Sequence, residues 1–396
     1  MNRNQPRIAI VGAGVIGLSI ARSLAMLGAE VTIFERSHMG AGTSSRTFAW
    51  VNANGKKPDS YYALNYAGMQ EHLALQNHSS NGARWLDVCG TFEWATHALA
   101  KDRLTKRVES LADLEYPLKQ VSQRELQQFV PEIRIPPTVG EIWHFPQEAL
   151  LYPSILMARL WSEARSHGAL LRDRTDVVDI AEAPGVTTLQ LSDGSHWQGD
   201  YCVLATGRWT PSLTSMLGAP LAMIDANQAT QIGCGFLALT DPQYVQLRSN
   251  LITPELNVRP DGGGRLLLQA PDLDYRADPA TQTDVDGYIG REILARLRRL
   301  FDNTDHAHIE KLVVGQRSRP ADGLPAVGFL TDMHRTYVVV THSGMTLAPL
   351  LGRLVALELM LSKRDPLLEP YSPARLINRE ARDFAAIATI HFPAAQ

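Results

Sequence analysis

The sequence predicts an α/β fold: a Rossmann-like parallel-sheet domain interleaved with a second, mostly antiparallel (α+β) domain. Three observations predict it. An apolar strand, Arg7-Ile8-Ala9-Ile10-Val11, runs into the G-x-G-x-x-G turn Gly12-Ala13-Gly14-Val15-Ile16-Gly17, then a helix and a second apolar strand, Val31-Thr32-Ile33-Phe34-Glu35. Two further apolar strands, Tyr201–Gly207 and Thr336–Thr341, return late in the chain, the latter leading into an apolar helix over Thr346–Ser362. Between them, from Leu221 to about Val314, lie short segments of different texture (Gly235–Leu239, Leu256–Arg259, Arg265–Gln269) that read as antiparallel strands.

The first of these units carries chemistry. Gly12 permits the tight turn, Gly14 lets the backbone approach a pyrophosphate, and Gly17 lets helix and strand pack closely. The pyrophosphate would rest on the unpaired N–H groups and positive dipole end of the helix beginning at Val15 and Ile16. Glu35, 18 residues beyond Gly17, is placed to accept hydrogen bonds from the adenosine ribose hydroxyls. A dinucleotide site follows; the motif alone leaves NAD and FAD both open.

Bulk properties bound the rest. At 396 residues the chain exceeds one ordinary core, so two domains are expected. It is 45% hydrophobic and 20% charged, and 38 Lys plus Arg against 41 Asp plus Glu leave a formal charge of -3. That balance lacks the concentrated basic surface a nucleic-acid partner demands. Cys89, Cys202 and Cys234 are odd in number and form no C-x-x-C pair, which predicts reduced thiols and neither a disulfide framework nor a metal site. Ile8–Ala21 could pass for a signal sequence, but its glycines sit at dinucleotide spacing. No run of about 18 apolar residues stands out to span a bilayer, so no integral membrane segment is expected and the cytoplasm is the expected compartment.

In chain order, helical periodicity covers Tyr61–Gln76, Thr91–Ala95 reads as a strand, and Ser122 with Glu125 forms a capping-box signature. A helix follows Tyr152-Pro153-Ser154, with Leu156, Leu160 and Ala164 on one face, and leads through Gly168 into the strand Ala169–Arg172. Val177–Ile180 and Thr187–Leu191 pair as a hairpin, and Tyr288–Phe301 is a helix whose arginines form a solvated face. The expected division gives residues 1–55, 145–220 and 315–396 to a discontinuous nucleotide domain, and 56–144 and 221–314 to a substrate domain.

Four blocks resemble the D-amino-acid oxidase, glycine oxidase and sarcosine oxidase superfamily of flavoenzymes over nearly the whole length. They are the opening unit with Glu35-Arg36; Gly42-Thr43-Ser44-Ser45-Arg46; Ala205-Thr206-Gly207-Arg208-Trp209-Thr210-Pro211; and Gly315-Gln316-Arg317-Ser318-Arg319-Pro320-Ala321-Asp322-Gly323, followed by His342-Ser343-Gly344-Met345-Thr346-Leu347-Ala348-Pro349. The resemblance implies noncovalent FAD. Relatives that tether the flavin use a cysteine near the position of Pro320 and Ala321, and none is present here. It implies FAD contacts from Gly12, Gly14, Val15, Ile16, Glu35, Arg36, Thr43, Ser44, Ser45, Arg46, Val177, Ala205, Thr206, Gly207, Trp209, Arg317, Gly344, Met345, Thr346 and Leu347. Read without the family, Gly344 opens a helix whose N–H groups favour the negative charge that reduced flavin carries at N1 and C2=O.

Arg317 falls on the arginine that grips the substrate carboxylate in glycine oxidase-like relatives; the competing reading pairs it with an acid such as Asp322. Here the pattern departs from the family, since Ser318 replaces the proline after that arginine and Arg319-Pro320 recurs two residues on. His342 is a candidate to polarise substrate or flavin. Trp50, Asn52, Asn54 and Lys56 are expected at the pocket's floor or entrance, and Trp143, His144 and Tyr275 at its roof. No lysine lies between Lys119 and Lys311, where sarcosine oxidase relatives supply one to activate oxygen. The expected reaction is FAD-dependent oxidation of the C–N bond of a small D- or N-alkyl amino acid or amine. Hydride passes to flavin N5, and the electrons go on to oxygen or another acceptor. The alternatives are oxidation of a 2-hydroxy acid or polyol on the same fold, and a non-catalytic FAD-binding redox sensor. A related tRNA-modifying activity is disfavoured by the net charge.

Overall fold

The computed structural model describes residues 5–78, 82–230 and 232–385. The opening strand Arg7–Val11 lies inside a six-stranded sheet, flanked by Glu30–Phe34 on one side and Tyr201–Leu204 on the other. Leu170–Arg172 extends one end; Thr336–Val340 and then Ala326–Phe329 extend the other. All neighbours run parallel except the edge strand Ala326–Phe329. Ile8, Ala9 and Ile10 are fully buried, as a strand covered on both faces requires. The hairpin Val177–Ala183/Val186–Leu191 forms as expected but grows with His196–Gly199 into a separate three-stranded sheet.

The opening helix Val15–Met26 packs against the closing helix Gly344–Leu361, which in turn covers Asp59–Asn77. By length and composition the closing helix is apolar enough to cross a membrane, which corrects the expectation that no such run exists. The apolar character has a local cause: Leu347, Leu350, Leu351, Leu354 and Val355 lie at or near zero exposure between neighbouring helices. Asp59–Asn77 and Ala98–Asp113 bury Tyr61, Leu64, Met69, Leu104 and Val108 in this same core, although the sequence division groups 56–144 with the second domain.

A second, eight-stranded sheet is built from strands of two separate stretches of chain, 91–145 and 234–316. Its order is Ile309–Gln316, Cys234–Thr240, Leu266–Gln269, Asn257–Pro260, Asn250–Ile252, Thr91–Trp94, Ile142–Phe145 and Lys119–Val121. Every pair is antiparallel but one, Asn250–Ile252 with Thr91–Trp94, where the two chain segments meet. A core of Phe92, Ile142, Leu251, Leu268, Ile293 and Leu297 seats the helix Tyr288–Leu300 on this sheet. The capping box forms at Ser122, with Glu125 N–H donating to Ser122 Oγ at 3.1 Å and Ser122 N–H to Glu125 Oε2 at 2.7 Å.

Candidate active site

The carboxyl ends of the parallel strands open onto one cavity of about 510 Å³, the expected ligand position of an open α/β sheet. At one end the glycine turn is held by contacts that leave no room for a side chain. A Cβ on Gly17 would stand 2.0 Å from Gly12 O, and one on Gly12, whose φ is +104°, would stand 2.6 Å from Ala205 O. Glu35 accepts from Ala13 N–H and Ser37 N–H, both at 2.9 Å, which fixes its carboxylate at the cavity edge. Val15 N–H donates to Ser44 Oγ at 3.0 Å, tying the Thr43–Ser45 turn to the helix start.

Arg36, Arg46 and Arg208 line the same end. The guanidinium carbons of Arg36 and Arg208 lie 3.8 and 3.6 Å from the Trp209 ring centroid. Burial pushes Arg208 down to about 10, assisted by repulsion from Arg36 and Arg46, and its Nε is buried with no partner among the described residues. Three crowded guanidiniums around an open helix terminus suit a diphosphate, whose charge answers theirs. Thr43, Ser44, Val177, Ala205, Thr206 and Gly207 complete the wall.

The closing helix meets the cavity with its N-terminus. Its N-cap residue Ser343 makes no side-chain cap and no acid occupies the first turn, so the amides of Gly344, Met345 and Thr346 face the cavity without an internal anion. His72 is fully buried and fixes this turn through a 2.7 Å contact between its Nε2 and Met345 O. A glycine cradle, a ribose-binding acid, a cationic diphosphate cage and an open helix terminus along one cavity fit FAD from adenosine to flavin.

Beyond that terminus the lining changes to Trp50, Asn52, Lys56, Gly235, Leu237, Gln269, Arg317 and His342. Arg317 Nη2 pairs with Asp274 Oδ2 at 2.7 Å and Nη1 donates to Cys234 O. The acid weighed against a ligand role therefore exists but is Asp274, because Asp322 is taken by Arg375 at 2.6 Å. The pairing has a physical necessity: Arg317 is only 8% exposed, and a guanidinium so buried must be answered. Asp274 also accepts from Phe236 N–H at 2.9 Å; burial raises its carboxyl to about 6, with Arg317 opposing, so it remains an anion at neutrality. A Cβ on Gly235 would fall 2.5 Å from both partners, so a larger residue there would force the pair to shift.

Two further cations stand close by without such partners. Lys56 makes no ion pair among the described residues, and burial lowers it to about 8, with Arg319 adding repulsion and Glu148 partly restoring it. Arg319 Nε and Nη1 are buried with no hydrogen-bond partner among the described residues, and burial, then Arg317, lowers its pKa. His342 is held well below its ordinary range by burial and by Arg319, Arg317 and Lys56, so it is a neutral imidazole. Glu148, wholly buried, accepts from Trp50 Nε1 at 2.8 Å and Tyr116 Oη at 3.1 Å, and burial raises it to about 7.

Several expected contacts, Asn54 among them, do not line the cavity. Ser45 turns outward to the solvent side of its 3-10 turn, and Leu347 rotates into the helix core at zero exposure. Trp143 sits between Glu93 and Gln120 on neighbouring strands and packs on the nucleotide-domain core. Tyr275 is 56% exposed and bonded by Arg276 at 2.8 Å. His144, likewise expected at the roof, instead stacks on Phe92 with ring centroids 4.2 Å apart. The roof is made by Gly235, Leu237 and Gln269, neighbours on paired strands that bear no local motif. Arg208 was in view within the Ala205–Pro211 block, and its basic character beside Arg36 and Arg46 was the available signal.

The family model described as FAD dependent oxidoreductase matches residues 7–357. The chain is 25% identical to the glycine oxidase of Geobacillus kaustophilus (strain HTA426) over 384 residues, 94% of this chain and 97% of the relative. It is 28% identical to the glycine oxidase of Pseudomonas aeruginosa over 390 residues, 93% and 98% of the two chains. The crystal structure of glycine oxidase from Geobacillus kaustophilus superposes with a TM-score of 0.81 at 24% identity, covering 94% of this chain and 99% of that one. With the glycine cradle, the cationic cage and the open helix terminus on one cavity, and the family match spanning all three, this chain belongs to the FAD dependent oxidoreductase family.

Proposed function

We propose that the chain oxidises the C–N bond of a small amino acid or amine, D-configured or N-alkylated. One observation carries the reading: the cavity that cradles the dinucleotide is also lined by Lys56, Arg317 and a neutral His342. Those charges attract a carboxylate and set its direction, which orients the adjacent Cα–H. They also act on the amine. The burial that keeps His342 neutral, with the cations' field added to it, also lowers the pKa of a bound ammonium, so the substrate is held with its nitrogen lone pair free. Hydrophobic Leu237 and Trp50 help to exclude water from that end. Bound FAD supplies the two-electron acceptor for the hydride that leaves Cα; the resulting imine is hydrolysed by water to a keto or aldehyde product and an amine. His342, uncharged, donates or accepts one hydrogen bond at the reacting end and carries no proton as an acid. The glycine oxidase relatives support this substrate class.

The test is anaerobic titration of the FAD-loaded protein with D-, L- and N-alkyl amino acids, 2-hydroxy acids and polyols. Bleaching of the flavin band by an amino acid is the expected result. Bleaching only by a hydroxy acid or polyol would overturn the reading.

A further inference from the structure

The closing helix carries a proline near its start. Pro349 lies within Gly344–Leu361 and has no N–H, so the carbonyl four residues back, that of Met345, lacks its ordinary helical donor. A side chain from another helix fills the place. His72 Nε2 stands 2.7 Å from Met345 O, and a carbonyl oxygen only accepts, so the imidazole carries its proton on Nε2 and donates it. His72 Nδ1 is buried with no hydrogen-bond partner among the described residues. Burial lowers the ring to about 4, so it is neutral at physiological pH and has that one N–H to give.

His72 belongs to a stripe. Tyr61, Asn65, Gly68 and His72 follow one another at spacings of four, three and four, which sets them on one face of the helix Asp59–Asn77, and all four are buried. Tyr61 Oη meets Oγ of Ser343, the N-cap of the closing helix, at 2.7 Å. Asn65 Nδ2 donates to Tyr61 O at 2.8 Å and steadies that end. A Cβ on Gly68 would stand 2.7 Å from Thr346 O, so no side chain fits between the two helices there. The stripe thus meets Ser343, Thr346 and Met345 in turn, within the stretch that lines the cavity. The chain enters this helix directly from Trp50, Asn52 and Lys56, which line the same cavity.

From this geometry we propose that His72 is a positioning residue for the flavin: it stands in for the amide that Pro349 lacks, and so holds the amides of Gly344, Met345 and Thr346 toward the flavin end of the cavity. The proposal does not depend on which donor reduces the flavin. A helix N-terminus stabilises an anion, and reduced flavin is the more negative form. A first turn whose Met345 carbonyl has lost its donor reorients to find another, and its amides then favour the reduced form less. The flavin potential falls.

The test measures the two-electron potential of the FAD-loaded protein against a reference dye during slow chemical reduction. His72→Phe keeps an aromatic ring and removes the donor. It should weaken binding of reduced relative to oxidised flavin roughly tenfold, a fall of about 30 mV. His72→Gln, whose amide N–H can reach the same carbonyl, should recover the wild-type potential. Pro349→Ala restores a helical N–H to Met345 O, so in that background His72→Phe should leave the potential where Pro349→Ala alone sets it. An equal fall in both backgrounds overturns the proposal, since His72 would then act by filling space and not through the carbonyl. An unchanged potential in His72→Phe, whatever its stability in urea, overturns it as well. If His72→Phe alone fails to fold, the proposal still requires the Pro349→Ala/His72→Phe protein to fold and to match Pro349→Ala in potential; failure on either count refutes it.

Discussion

Replacing Gly17 with alanine isolates the geometry that holds the dinucleotide. The added Cβ would lie 2.0 Å from Gly12 O and 3.3 Å from Ile10 Cγ2, whereas real Cβ contacts stay above 3.0 Å. The obstructing atom is backbone, so the opening helix must withdraw from the first strand by about 1 Å. Overpacking of this kind costs about 1–3 kcal/mol of stability. The same movement carries the helix terminus and Val15 N–H, now 3.0 Å from Ser44 Oγ, away from the pyrophosphate position. Losing one charge-assisted hydrogen bond of about 1.5–3 kcal/mol weakens FAD binding roughly 10- to 150-fold. Gly28→Ala is the control. Gly28 has φ +87° but nothing within 4 Å of an added Cβ, so it carries only backbone strain of about 1–2 kcal/mol and no effect on the cofactor. Quenching of FAD fluorescence on titration with apoprotein gives the affinities, and urea unfolding gives the stabilities. If Gly17→Ala binds FAD within threefold of the wild-type protein, the close-approach argument is wrong.

Asp274→Ala leaves Arg317 buried without its anion and should cost about 3–5 kcal/mol in urea unfolding; a loss below about 1 kcal/mol would mean the pair is not a structural brace. Glu148 has its carboxyl raised from 4.5 to about 7, so the folded state favours the protonated form. Its stabilising contribution is whole below pH 4.5 and declines by up to about 3 kcal/mol as pH rises to 7. Glu148→Gln removes that titration, and the stability of the variant relative to wild type should climb over the same interval; parallel curves would contradict it. Lys56 is cationic below about pH 8 and loses its proton above it, so the affinity for a simple carboxylate such as acetate should fall as pH rises through 8. Lys56→Met should flatten that decline, as read from the flavin spectral titration.

The parts of the site visible in the sequence are those built from consecutive backbone. Gly12, Gly14, Glu35, Thr206 to Trp209 and Gly344 to Thr346 line the cavity because a turn or helix start must pass there, and local residue types record that need. Contacts decided by register were not visible. Asp274 reaches Arg317 across 43 positions, and Gly235 beneath them signals its role only once the strands are paired. Trp143 and Tyr275 misled for the same reason: an aromatic's placement depends on strand neighbours, which a single sequence does not display. Leu347 fell out of the site by helical rotation, one residue past the last amide that faces the cavity. The apolar closing helix shows how composition can point outward, to lipid, while tertiary packing consumes the same surface internally.

The strand order carries a consequence for how the protein is made. The central strand Arg7–Val11 emerges from the ribosome well before its neighbour Tyr201–Leu204, and the helix Gly344–Leu361 later still. At ordinary elongation rates of 5–20 residues per second, the fingerprint waits roughly 15–70 s for the turn that faces the flavin. Until Tyr201–Leu204 emerges the strand has one unpaired edge, and throughout the interval the opening helix lacks its main packing partner. A nascent chain with an intact glycine fingerprint therefore has no complete pocket until that helix is made, and cofactor capture waits for it. The yellow colour of the purified protein would then report finished folding, and apoprotein in a cell would mark chains that stalled before the final helix docked.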